Sequence, residues 1–181
     1  MAFDNVLFTK IIDILNSGFA KFPAVPNPVV IQKYQPVAEG VPSCPTVFLY
    51  KIGDNRLGWP EKHSCWDRVK GIETHTELQV YETTFQISAL VTQDPSNPAA
   101  YTASDIINYA AYIMQSAATV TALQAIGTGI YKVSDVRNPY FSDDRVRYEA
   151  SPSFDFTLVH SQIIVTTVPI ASSITVEVLE V

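Results

Sequence analysis

The chain has 181 residues, 47% of them hydrophobic and 17% charged, and carries a formal net charge of -6 at pH 7. This length and apolar content predict one folded domain that needs neither a metal nor a disulfide to hold its core together. The negative charge argues against binding to a nucleic-acid backbone, and no segment has the roughly 20 consecutive apolar residues of a membrane span.

The N-terminal segment predicts an amphipathic helix. Its sequence, MAFDNVLFTKIIDILNSGF, lacks the basic region and continuous apolar core of a secretory signal, which indicates a protein made in a cytoplasm. The apolar residues instead recur at helical spacing: Val6, Leu7, Ile11, Ile14, Leu15 and Phe19. We expect the helix to begin at a cap formed by Asp4 or Asn5 and to end near Gly18, where glycine tolerates a left-handed cap.

Two short strands and a long loop follow. Residues 29–34 and 46–52 are rich in β-branched and aromatic side chains, which is typical of strands. Residues 53–74 mix glycine, proline and charge, and this predicts a loop. Both tryptophans, Trp59 and Trp66, lie in it. Because tryptophan is enriched at interface hot spots, they are candidates for a subunit or partner contact. The alternative is that they pin the loop to its own domain.

The middle of the chain predicts a central strand and a long helix. Apolar and polar residues alternate over residues 78–92, with Phe85, Ile87, Ala89 and Val91 as the inward set. Thr102 and Asp105 have the spacing of a capping box, and the alanine-rich segment 103–125 repeats like a helix. Thr119 or Thr121 would restart it as a shorter second piece, and the glycines at 127 and 129 would end it.

Antiparallel strands are predicted after this helix. They fall at residues 130–136, at a return beginning in 145–148, and at 154–165, with a turn at Asn138-Pro139. The acidic pair Asp143-Asp144 is expected to lie in a solvated turn, because the segment lacks the glycine of a calcium loop. The surrounding aromatic and arginine residues have the composition of an interface and predict a self-association surface, with ordinary surface as the alternative: Tyr140, Phe141, Arg145 and Arg147.

Pro169 marks the predicted boundary between a single α+β domain, residues 1–168, and a C-terminal extension strand, residues 169–181. In the extension, Ile174, Val176 and Val178 alternate with Thr175, Glu177 and Leu179. A terminal strand of this kind can pair with its own sheet edge or with the edge of a neighbouring subunit. The sequence is compatible with both pairings.

No common catalytic motif is present in the sequence: it contains no GxSxG, P-loop, GxGxxG, HExxH or CxxC pattern. The three histidines are far apart, and His160 is expected to have a structural role on a strand. Cys44 and Cys65 lack the spacing of zinc ligands and are expected to be reduced, partly or fully buried thiols. We therefore predict no enzyme activity, no catalytic residue, no metal and no cofactor.

The order of elements defines the fold class: an α+β protein with a mostly antiparallel sheet, an N-terminal helix, a central alanine-rich helix, a long loop and a C-terminal extension. It resembles the small tail-terminator or neck (head-tail joining) proteins of tailed bacteriophages. The resemblance lies in three segments: FTKIIDILNSGF, YETTFQISALVTQ leading to YTASDIINYAAYIMQS, and ALQAIGTGIYKVSDVRNPYFSDDRVRYEASPSFDFTLVH.

The resemblance implies a structural virion protein, made in the host bacterial cytoplasm. Such proteins form a hexameric ring that caps the tail tube, ends its polymerisation and provides a docking surface for the neck and capsid. The implied partners are the tail tube protein, a neck or head-completion protein and, in a contractile tail, the sheath. DNA would pass through the lumen without specific binding, and the acidic balance of the chain suits that passage.

Two other classes of function remain open. Another phage morphogenesis protein, such as a head-completion protein or a tail tube subunit, would share this composition. Assembly separates these, because a tube subunit polymerises indefinitely whereas a terminator closes at one ring. A small ligand-binding domain or enzyme would instead need a concave pocket with convergent polar groups.

Overall fold

The computed structural model describes residues 3–22, 27–33, 44–92, 96–97, 99–142 and 148–169, and these form an α+β fold. The elements in chain order are α1 (Phe3–Phe19), β1 (Val29–Gln32), β2 (Thr46–Asp67), β3 (Ile72–Leu90), α2 (Ala103–Gln115), α3 (Ala117–Gln124), β4 (Thr128–Val133), β5 (Tyr140–Ser142), β6 (Tyr148–Ala150) and β7 (Ser153–Pro169).

Five strands form one mixed sheet in the order β1-β2-β3-β7-β4, and β5 pairs with β6 in a separate antiparallel sheet. The strand predicted to be central, β3, lies in the middle of the larger sheet. At one edge β1 pairs in parallel with Thr46–Leu49 of β2, and at the other β4 pairs antiparallel with residues 156–160 of β7. The predicted antiparallel return after the helices is therefore confirmed, with β6 as its short first strand.

The chain divides into two compact units. We call Met1–Asn55 with Glu82–His160 the core unit, and Arg56–Tyr81 with Ser161–Val181 the ribbon unit. The predicted extension strand, residues 169–181, lies almost entirely outside the described residues, so the boundary at Pro169 stays a prediction.

The core unit has one hydrophobic core, to which α1, α2, β3 and β7 contribute most. The predicted inward residues Phe85, Ile87 and Ala89 of β3 are fully buried, as are Phe154 and Leu158 of β7. Val91, the fourth predicted member, lies beyond the end of β3 and is half-buried. The core is completed by apolar residues of the two long helices: Leu7, Phe8, Ile11, Ile14, Leu15, Phe19, Ala103, Ile106, Ile107, Ala110, Ile113 and Met114.

Helix α1 differs from the prediction at both ends. It begins at Phe3, so Asp4 and Asn5 lie in its first turn rather than at its cap, and it runs through Gly18 to Phe19. Gly18 is buried, and a Cβ atom built there would lie 2.5 Å from Cγ2 of Ile113 on α2. The glycine therefore permits the close approach of two helices and does not terminate the first one.

The alanine-rich segment forms two helices, as predicted, but the residue that separates them is Ser116. The backbone N–H of Asp105 donates to Thr102 Oγ1 at 3.2 Å, and Thr102 N–H donates to Asp105 Oδ2 at 2.9 Å, so the predicted capping box is confirmed. Ser116 caps α3 by accepting from Thr119 N–H at 3.3 Å. Neither Thr119 nor Thr121 starts the second helix, and Thr119 instead donates through its hydroxyl to the carbonyl of Ile113 at 2.6 Å.

The prediction of a long loop at residues 53–74 is wrong. Residues 46–67 and 72–90 form two long strands, joined by a four-residue turn from Arg68 to Gly71. Asp67 closes this turn by accepting from the backbone N–H groups of Val69 and Lys70. The sequence pattern predicted a loop because residues 53–66 are exposed or half-exposed on both faces of the strand. A strand that buries neither face needs no alternation of apolar and polar residues.

Candidate assembly interface

The ribbon unit is built from neighbouring stretches of β2, β3 and β7. Lys62 of β2 forms an ion pair with Glu77 of β3 at 3.1 Å, and Ser64 lies 2.8 Å from His75 Nδ1. Moving two residues forward on β2 thus moves two residues back on β3, so these strands are antiparallel. Gly58 interrupts β2 with φ 66°, a left-handed conformation typical of a β-bulge.

Large apolar side chains are exposed throughout the ribbon unit. Trp59 is 94% exposed and Trp66 50% exposed, while Val69 at the turn is 96% exposed. Three consecutive residues of β7, Ile163, Ile164 and Val165, are more than half exposed. Because consecutive strand residues point to opposite faces, both faces of β7 present apolar surface. Exposed large apolar residues grouped on one strand make this unit the candidate site of protein–protein interaction.

The structure decides between the two interpretations of Trp59. A side chain that is 94% exposed cannot pin its segment to the rest of the chain, so the pinning alternative is wrong for Trp59. Trp66 keeps half of its surface in contact with its surroundings. Both tryptophans lie on the same strand, β2, in the ribbon unit. They remain candidates for contact with a neighbouring subunit or a partner.

The other predicted interface residues stay predictions. Tyr140 and Phe141 lie on β5, where the structure describes the backbone alone. Arg145 and Arg147, the acidic pair Asp143-Asp144, and the terminal residues Ile174, Val176 and Val178 lie outside the described residues, so their roles stay predictions. Cys44 and Cys65 are both exposed, so the expectation that these thiols are partly or fully buried is wrong.

A chain of hydrogen-bonded polar groups runs through the core unit. Lys51 on β2 contacts Asp4 of α1 at 2.8 Å and Asp54 Oδ2 at 2.6 Å. Thr83 on β3 donates its hydroxyl proton to Asp54 Oδ1 at 2.6 Å, and Thr83 Oγ1 lies 2.8 Å from Nε2 of His160 on β7. We call these five residues the polar chain.

The polar chain fixes the tautomer of His160. A hydroxyl has one proton, and that of Thr83 is donated to Asp54, so Thr83 Oγ1 must accept from His160 Nε2–H. His160 follows the inward residues Phe154, Phe156 and Leu158 at strand spacing and is 8% exposed. The sequence therefore contained the signal that this histidine is buried and needs a polar partner. It contained nothing that identified Thr83 as that partner.

The surroundings of the polar chain shift three pKa values. Burial lowers the pKa of His160 below its ordinary 6.5, and the nearby Asp54 and Asp4 charges only partly oppose this. Burial raises the pKa of Asp54, but hydrogen bonds from Lys51 and Thr83 outweigh it and hold the pKa below 3.8. For Lys51, burial lowers the pKa, while hydrogen bonds to both aspartates outweigh burial and raise it above 10.5.

We expect the free energy of unfolding to fall as the pH decreases below the ordinary histidine value of 6.5. The unfolded chain then binds a proton that the buried, neutral His160 resists, so acid favours unfolding until the folded-state pKa is also passed. Denaturant unfolding measured from about pH 8 to about pH 5 tests this. In His160→Gln, whose amide can still donate to Thr83, that part of the pH dependence should disappear; an unchanged profile would contradict the assignment.

A groove of about 450 Å³ lies between α1, α2 and α3 in the core unit. Phe22, Tyr112 and Ile113 form much of its apolar lining, and Lys10 and Lys21 are among its polar residues. Among the described residues, no three His, Cys, Asp or Glu side chains lie close enough to hold a metal ion. In the same part of the chain, none of the helices is long and apolar enough to span a membrane.

Comparison with known proteins identifies the family. A search of curated proteins finds no match to the chain. The model of one protein family, described as the E217 gateway protein gp29, matches residues 6–170 and so covers all the described helices and strands except the first residues of α1. This is a family of structural bacteriophage proteins of the head-to-tail connection. The chain belongs to the E217 gateway protein gp29 family.

Proposed function

We propose that the protein forms a closed ring at the junction of head and tail. There it caps the tail tube, ends tail polymerisation and provides the docking surface for the neck and capsid. Membership of a gateway protein family supports a place in the head-to-tail connection. The ring and the capping role are the finer parts of the proposal, and they rest on the surface of the ribbon unit.

The exposed apolar surface of the ribbon unit is the observation that carries this proposal. Trp59, Trp66 and the apolar residues of β7 lie in one compact unit and are mostly open to solvent in the single chain. Large exposed apolar patches on soluble proteins mark sites of protein–protein contact. Burial of apolar surface against other subunits would stabilise the assembly by roughly 25 cal/mol for each Å² removed from water. Self-association is thus favoured. A ring suits the head-to-tail connection because its central opening lets DNA pass from head to tail.

The proposed partners follow from the place in the virion. The tail tube protein would contact one side of the ring and a neck or head-completion protein the other, with the sheath as a further neighbour in a contractile tail. DNA would pass through the lumen. The net charge of -6 repels the phosphate backbone, so the lumen would not retain the DNA. The role is structural, and we propose no catalytic residue.

Native mass spectrometry with negative-stain imaging of the same sample tests the proposal. We expect closed rings of about six subunits, either alone or on addition of the purified tail tube protein, because an interface that repeats by rotation closes. Open tubes formed without partners would instead identify a tube subunit. A single chain that stays monomeric alone and with the tube protein would reject the ring.

We expect Trp59→Ala to weaken ring assembly by about 2 kcal/mol per interface without lowering the stability of the single chain, since a 94% exposed side chain contributes little to folding. Mass photometry over a dilution series measures the assembly, and thermal unfolding measures the stability. The matched control is Tyr131→Ala, which removes another exposed aromatic side chain, from β4 in the core unit. Equal ring stability in both variants would exclude Trp59 as an interface hot spot.

A further inference from the structure

The two outer edges of the ribbon unit differ in chemistry. The pairing of β1 with β2 ends at Leu49, and that of β4 with β7 ends at His160. In the part of the chain that the structure describes, β3 lies on one side of each of these strands, and no strand lies on the other side of β2 from Arg56 to Asp67 or of β7 from Ser161 to Pro169. Among the described residues, each stretch therefore presents a row of unpaired backbone N–H and C=O groups at an edge of the sheet.

The β7 edge has the composition of a strand that is paired in the assembled state. Its sequence from Ser161 to Pro169, SQIIVTTVP, contains no charged residue and is mostly β-branched. Proteins usually protect a free edge with charge, proline or a bulge, and a long uncharged apolar edge is a template for pairing. In residues 161–169 the only such protection is the final proline, so this edge favours pairing with another strand over exposure to solvent.

The β2 edge carries partial protection. Gly58 introduces a left-handed kink, Pro60 removes one N–H, and Glu61, Lys62 and Asp67 carry charge. A proline within a strand lies with its nitrogen away from the paired neighbour, so the nitrogen of Pro60 faces outward rather than toward β3. By strand alternation, the N–H groups of Lys62 and Ser64 also face outward. Residues 61–67, which follow the kink, thus have backbone N–H and C=O groups that face away from β3 and can pair with another strand.

The two edges run in the same direction. β2 is antiparallel to β3, as the Lys62–Glu77 and Ser64–His75 contacts show. β3 is antiparallel to β7, because Thr84 contacts Thr157 while Gln86 contacts Asp155. A rotation about an axis roughly along the strands therefore brings the β2 edge of one copy beside the β7 edge of the next, with the strands parallel. Contacts between unlike surfaces of this kind generate a ring when the rotation closes and an open filament when it does not.

We infer that a second copy of this chain pairs its β2 edge, at residues 61–67, with the β7 edge at residues 161–169, and that this parallel pairing joins successive subunits. The inference rests on the proposed ring, and it specifies which surfaces join. The competitors are pairing of like edges and pairing of the β7 edge with the predicted extension strand of the same chain. Two β7 edges, or two β2 edges, would meet antiparallel about a two-fold axis and stop at a dimer.

Cysteine cross-linking distinguishes these arrangements. Cys65 already lies on the β2 edge, and paired strands bring Cα atoms to about 5 Å, within the range of a disulfide. In a Cys44→Ser background, we would place one additional cysteine at each position from 161 to 168 in turn and oxidise the assembled protein. The inference predicts, for at least one position, a covalent ladder that extends beyond the dimer up to the ring size.

The background protein with Cys65 alone is the control, and it should give no ladder. Dimers in that control would indicate β2–β2 pairing, and ladders that stop at dimers when a β7 cysteine is added would indicate β7–β7 pairing; either result overturns the inference. If native mass shows closed rings but no position gives a ladder, the edge pairing is wrong while the proposed function stands. If native mass shows no ring, the proposed function fails, and the inference fails with it.

A second test removes one outward hydrogen-bond donor. Lys62→Pro deletes an N–H that faces away from β3, while Lys62→Ala keeps the N–H and deletes the same contact with Glu77. We expect rings to be lost in the proline variant and retained in the alanine variant, with unchanged circular dichroism in both. Retention of rings in both variants would contradict the pairing of β2.

Discussion

Replacing Phe85 by alanine is expected to lower the free energy of unfolding by about 3–5 kcal/mol, the usual cost of removing a large buried aromatic side chain. Phe85 is fully buried on β3. Its ring meets Phe8 of α1 edge-on, with centroids 5.3 Å apart, and stacks on Phe156 of β7 at 5.4 Å. The substitution therefore leaves a cavity where a helix and two strands meet, and the rigid sheet cannot close over it. Urea denaturation measures the change.

Two control variants test whether the loss of stability comes from the buried cavity. Phe85→Leu fills most of the cavity and should cost distinctly less than the alanine variant. Trp59→Ala removes an even larger side chain, but one that is 94% exposed, so it should leave the single chain as stable as before. All proteins are compared at one low concentration, because assembly itself adds stability. A loss below about 1 kcal/mol for Phe85→Ala would mean that the site is not packed as described.

Replacing Thr83 by valine is expected to cost about 1–3 kcal/mol, although the two side chains have nearly the same shape. The hydroxyl of Thr83 both donates to Asp54 and accepts from His160. Valine removes both bonds at once and leaves the Nε2–H of a largely buried histidine without this acceptor. The cost is therefore that of desolvated polar groups and not of lost packing. Urea denaturation near neutral pH measures it.

Thr84→Val is the matched control for this prediction. Thr84 is the next residue on β3, is only half-buried, and shares a single 3.1 Å hydroxyl contact with Thr157. Its replacement should cost less than that of Thr83. The double variant Thr83→Val with His160→Leu should cost less than the sum of the two single variants, because each removes the same interaction. Additive losses would show that Thr83 and His160 do not interact.

The fold of the core unit was largely predictable, because elements that bury one face carry apolar residues at regular spacing in the sequence. In β7, and in β3 as far as Ile87, buried residues alternate with half-buried ones, and Phe85, Phe154 and Phe156 are buried as that alternation requires. The capping box of α2 has a local cause, a threonine and an aspartate three residues apart, and could be read directly. The end of α1 could not be, because the role of Gly18 depends on Ile113, a residue far away in sequence.

The ribbon unit was not predictable from the same kind of pattern. Its β2 stretch contains Gly58 and Pro60 and buries neither face, so composition resembled that of a loop. The information that makes it a strand lies in pairing with β3, through contacts such as Lys62 with Glu77. Sequence reasoning singled out Trp59 and Trp66 as candidates for a subunit or partner contact, and that stays a prediction. It could not place them on one strand.

The contact between Gly18 and Ile113 has a consequence for how this family varies. Any side chain at position 18 would occupy space that the branched side chain at position 113 now fills. The two positions should therefore change together among related proteins. Where alanine or serine replaces the glycine, the partner position on α2 should carry a smaller residue such as valine or alanine, so that the sum of the two volumes stays nearly constant.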